Sequence, residues 1–149
     1  MAFGSEAALK AALAAVCANA VAQVEEKVYE EFAGNLNQYY GEFIPAEYIR
    51  TGALMGSLER TGVQSSGSGA SAEVFFSTPS YQTGPVPLQS GRTGYATWSG
   101  EQVLDTAMHG SHGGYAGGTA IWDESMASLG DIKGLLIKVL LFFSYVFLL

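Results

Sequence analysis

From Glu6 to about Phe32, apolar side chains recur as Leu9, Leu13, Val16, Ala20, Val24, Val28 and Phe32, in steps of four, three, four, four, four and four. That spacing tracks the 3.6-residue period of an amphipathic α-helix. The alanines crowded between positions 7 and 20 add intrinsic helix propensity. Ser5 is placed to cap the first turn, while Ala8 leaves it without a full capping box. Glu25, Glu26, Glu30 and Glu31, with Lys27, form the solvated outer face of the second half, and Gly34-Asn35 reads as the stop. A helix of about 27 residues spans roughly 40 Å, more than the core of a small domain needs. Its Ala-rich half is therefore suited either to a neighbouring subunit or to the chain's own sheet.

Composition narrows the function. The chain has 149 residues, 48% hydrophobic and 14% charged, with a net charge of −7. That is enough to bury one core, so a single domain over 1–149 is expected. With a pI near 4.6 and seven basic residues, it offers no patch for gripping nucleic acid by its phosphates. Cys17 stands alone on the apolar side of the helical pattern and reads as a small buried hydrophobe. Met1-Ala2-Phe3-Gly4 lacks the basic start of a signal peptide.

After an aromatic link holding Tyr39, Tyr40 and Phe43, Pro45 biases Ile44 out of the helical region. Tyr48-Ile49-Arg50-Thr51-Gly52-Ala53-Leu54-Met55-Gly56-Ser57-Leu58 then acts as a hinge. Gly52 supplies the freedom for a sharp turn, and Leu54 and Leu58 share one side. From Leu58 to Gln64 and from Ala72 to Ser77 the pattern loosely alternates around a Ser/Gly stretch, predicting a β-hairpin with an extended tip. Thr78 to Gly94 is loop-like, Tyr95–Trp98 is a short strand candidate, and Gln102–Met108 reads as a strand or a helical turn. Ile121 to Leu129 is a short amphipathic segment. Gly134 to Leu149 carries one charge, Lys138, in sixteen residues. That run is short of the roughly 20 apolar residues a bilayer span requires, and it reads as a buried helix or a tail anchor.

The Arg50-Thr51-Gly52-x-Leu54 run after a long helix resembles the neck and tail-completion proteins of tailed bacteriophages. So does the Gly-rich stretch before Trp122 and its short helix. The resemblance implies an α+β fold: a long N-terminal helix packed on a small antiparallel sheet with long loops, plus a C-terminal helix. Its parts would be the helix over 1–33, the turn over 45–58, sheet and loops over 59–122 and a helical segment over 123–149. Arg50, Thr51, Gly52, Leu54 and Trp122 would be the turn and interface residues. It further implies a structural virion protein, a head–tail connector or tail terminator. Such a protein forms a ring, six copies being the family expectation, beside neighbouring neck and tail-tube proteins. DNA would cross the lumen without specific binding, repelled by like charge. The location would be the virion, and the host cytoplasm during assembly. The apolar 134–149 departs from the family's more polar last helix, and an alternative is a small membrane-anchored protein held by that segment.

No catalytic constellation emerges, so no enzyme, cofactor or metal site is expected. Asp105, His109 and His112 stand at i, i+4 and i+7, a spacing that suits three ligands on a helix, but Gly110 and Gly113-Gly114 disfavour a helix there. A turn bearing two partly exposed histidines is the simpler reading. A hydrolase using either histidine is the third hypothesis.

Overall fold

The computed structural model describes residues 5–42, 52–66, 69–77, 86–87, 95–112, 115–116 and 118–147. The fold is α+β: a long N-terminal helix, small antiparallel strand pairs and C-terminal helices. Helix α1 covers Glu6–Glu42. Ser5 caps it as expected, its Oγ accepting the Ala8 amide at 3.2 Å. The stop expected at Gly34-Asn35 is corrected: the helix runs through Gly34 and Gly41. Leu36 and Tyr39 follow Phe32 on one face and are buried with it. Burying a large apolar side chain is worth about 1.5–3 kcal/mol. That outweighs the ~1 kcal/mol cost of a helical glycine.

Four strands follow a 3₁₀ turn at Met55–Ser57: β1 Leu58–Arg60, β2 Gln64–Ser66, β3 Gly69–Ser71 and β4 Val74–Phe76. β1 pairs with β4 and β2 with β3, the latter in the register Gln64↔Ser71. The expected extended hairpin is thus present, interrupted midway. Gly62 turns the chain at φ +68°. At the interruption the Thr61 amide donates to the Glu73 carbonyl and the Glu73 amide to Thr61 Oγ1, both at 3.0 Å. Two-residue strands β5 Val86–Pro87 and β6 Tyr95–Ala96 pair antiparallel, and the rest of the Thr78–Gly94 stretch lies outside the described residues.

The Gln102–Met108 segment is helix α2, Gly100–Met108, closed by a Ser99/Gln102 capping box. β7 Ser111–His112 and β8 Tyr115–Ala116 form a short hairpin, followed by α3 Ile121–Leu129 and α4 Ile132–Phe147. Gly130, at φ +60°, separates α3 from α4.

The chain divides into two compact units. Unit 1 comprises Met1–Tyr29, Arg60–Val74 and Leu129–Leu149, and unit 2 comprises Glu30–Glu59 and Phe75–Ser128. Nearly all described buried apolar side chains belong to unit 2: Phe32, Leu36, Tyr39, Leu54, Leu58, Ala107, Met108 and Ile121. There Phe32 meets Phe76 edge-on at 6.0 Å, which packs α1 on the sheet. Asn35 donates to the buried Ser125 hydroxyl at 2.9 Å, tying α1 to α3.

In unit 1 the described buried apolar residues are Ala20 and Leu129, while Leu9, Leu13, Ile137 and Leu141 stand exposed. Polar contacts hold α1 to the strands in this unit. Arg60 pairs with Glu26 and lies over the Tyr29 ring at 4.5 Å. Glu25 accepts the Gly62 amide at 2.9 Å. Glu26 stays on the solvated face expected from its pattern while pairing with Arg60, whereas Glu25 is half-buried and serves as a structural contact. Cys17 is half-buried, not buried.

Candidate functional site

Of the five residues the resemblance singles out, Arg50 and Thr51 lie outside the described residues. Gly52 turns the chain at φ +75°, and its carbonyl accepts the Gly56 amide at 3.0 Å. The buried Leu54 accepts the Ser57 hydroxyl at 2.7 Å through its carbonyl. These contacts fix the turn into β1, with Leu54 and Leu58 both facing the core. Neither Gly52 nor Leu54 lines the open groove of unit 2, where Trp122 is found.

That groove, of about 470 Å³, is lined by Phe76, Glu101, Leu104, Asp105, Met108, His109 and Trp122. The capping box starts α2 so that Glu101, Leu104, Asp105 and Met108 fall at i, i+3, i+4 and i+7, on one side of the helix. Across from them, the first turn of α3 presents Trp122. Its ring rests against Phe32 at 5.6 Å while 48% of the residue stays exposed. The floor is apolar and the rim carries Glu101 and Asp105. Among the described residues, unit 2 contains no lysine or arginine.

His109 ends α2. Its Nε2 lies 3.9 Å from Asp105 Oδ1 and its Nδ1 3.8 Å from Asp123 Oδ2. Both are beyond hydrogen-bond length. Because α2 stops at Met108 and His112 belongs to β7, Asp105, His109 and His112 do not share a helical face. No group of three potential metal ligands forms among the described residues. The lining brings together apolar side chains, the carboxylates of Glu101 and Asp105 and the imidazole of His109.

Two features frame the groove. The Glu42 carboxylate accepts both the Thr119 amide at 2.7 Å and the Thr119 hydroxyl at 2.6 Å, fixing the approach to α3. Gly110, at φ +70°, closes the β7–β8 hairpin by accepting the Gly118 amide at 3.1 Å. A second, polar hollow of about 260 Å³ lies along the β2–β3 ribbon and is lined by Gln64, Ser65, Ser66, Gly69, Ala70 and Ser71. It holds no charged group.

Sequence reasoning singled out Trp122 but missed the α2 face opposite it. The Ser99-Gly100-Glu101-Gln102 capping signature was the available signal. One described helix, α1, is long and apolar enough to cross a membrane, with an 18-residue window of mean hydropathy 1.6 of which 6% is buried. No protein family, curated protein or solved structure matches this chain.

Proposed function

We propose that the protein is a structural subunit that works by associating with other chains and performs no reaction. More particularly, it is a head–tail joining protein of a tailed bacteriophage, a neck or tail-completion ring through which DNA passes. The particular assignment rests on the resemblance carried by Arg50, Thr51, Gly52, Leu54 and Trp122. The observation that carries the general one is the distribution of apolar surface. Unit 1 leaves Leu9, Leu13, Ile137 and Leu141 exposed, and unit 2 leaves Trp122 half out of its groove. Exposed apolar surface of this kind marks sites of association. The virion, and the host cytoplasm during assembly, is the corresponding location. Electron microscopy of the purified protein and of particles tests this: rings, and density at the neck or tail end, are expected. A protein that stays monomeric and never enters particles refutes it.

A second reading has its own observation. Both α1, through its apolar window, and α4, with Ile137 56% and Leu141 60% exposed, present surface that lipid would accept. Held by 134–149, the chain would be a small membrane-anchored protein. Flotation with lipid vesicles by the full chain, lost in a chain ending at Lys133, would favour this reading over the ring.

A further inference from the structure

The geometry points to a head-to-tail contact between two copies of this chain, in which α4 of one copy docks its exposed side into the Trp122 groove of the next. This inference rests on the ring reading and names the surfaces that build it. Within α4, Lys133, Ile137, Lys138 and Leu141 are all exposed. Their positions, i, i+4, i+5 and i+8, fall within an arc of roughly 140°, with Ile137 and Leu141 between the two lysines. The helix contains two lysines and no acid between Ile132 and Phe147. It therefore presents apolar anchors flanked by positive charge.

The groove offers the complement. Phe76, Leu104, Met108 and Trp122 make an apolar floor, and Glu101 and Asp105 make an acidic rim with His109 at its end. The rise between the charges is similar on the two helices. Glu101 and Asp105 are four residues apart, roughly 6 Å of helix rise, and Lys133 and Lys138 five apart, roughly 7.5 Å. An amphipathic helix laid in an apolar groove, anchored at i and i+4, is a recurrent mode of recognition. Because the two surfaces differ, the contact is heterologous and generates a ring or an open array.

Sedimentation of the full chain and of two charge-reversed variants tests the contact, with circular dichroism to show that each variant is folded. All four substituted side chains are on the surface. The wild type should assemble with rising concentration. K133E/K138E alone and E101K/D105K alone should each lose assembly, with the association weakened by at least about tenfold because like charges now face each other. An equimolar mixture should assemble again, since each chain then offers the other a groove and a helix of opposite sign. Oligomers of the wild type that neither variant disturbs overturn this contact and leave the ring reading standing. Failure of the mixture to recover also overturns it. A wild type monomeric at every concentration overturns this contact, and the ring reading falls with it only if the chain also stays out of particles.

Discussion

Replacing Gly110 with alanine should destabilise the protein far more than the same change at Gly52, although both glycines have positive φ, +70° and +75°. The left-handed backbone costs an L-residue roughly 1–2 kcal/mol, and that term is common to both sites. The difference lies in the surroundings. A Cβ built on Gly52 meets nothing within 4 Å, whereas on Gly110 it lies 2.5 Å from the Gly118 carbonyl oxygen and 3.2 Å from the Ala120 nitrogen. Both neighbours are backbone, so the hairpin itself must move. Movement there strains the Gly118-to-Gly110 hydrogen bond that closes it, worth a net ~0.5–1.5 kcal/mol. Overpacking adds about 1–3 kcal/mol. Gly110→Ala should thus cost about 2.5–6.5 kcal/mol and Gly52→Ala about 1–2 kcal/mol. Urea unfolding followed by far-ultraviolet circular dichroism gives both values. Equal costs at the two sites would refute the steric argument.

Ile121→Ala, at a fully buried position, should cost about 2–5 kcal/mol in the same assay, and Ser125→Ala about 1 kcal/mol through loss of the Asn35 bond. Glu42→Gln keeps the shape but weakens the two bonds to Thr119, for an expected loss of about 1 kcal/mol and faster amide exchange at Thr119. Arg60 is held above its ordinary pKa, first by its hydrogen bond to Glu26 and further by the nearby carboxylates of Glu26 and Glu25. A raised folded-state value gives stability that is complete below the unfolded value and lost only as pH rises through the folded one. Both values lie in strong alkali, so substituting Arg60 should leave the slope of stability against pH unchanged between about pH 5 and 9. Its effect on stability should be small and shrink with added salt, measured by thermal melts at two ionic strengths.

The α1 pattern, the hinge at Gly52 with Leu54 and Leu58 turned inward, and the α+β order were legible because each depends on short-range rules. Periodicity, glycine freedom and chain reversal are local. The end of α1 was not legible, because Leu36 and Tyr39 hold the helix past Gly34 by burial that only the folded chain supplies. Glu25 was misread for a related reason: its partner, the Gly62 amide, comes from a turn more than thirty residues away. Of the candidate site, Trp122 was visible as a bulky side chain after a Gly-rich run. The groove beneath it joins Phe76, α2 and α3, which no local pattern links.

The β2–β3 ribbon has a consequence of a different sort. Gln64, Ser65, Ser66, Gly69, Ala70 and Ser71 contribute no buried side chain, and three paired residues per arm are its whole ladder. Mutation there is nearly neutral for folding, because nothing in either core leans on it. Related chains can therefore diverge in this arm while keeping Leu54, Phe32 and Ile121 in place. It is the stretch where a lineage is freest to experiment with new neighbours.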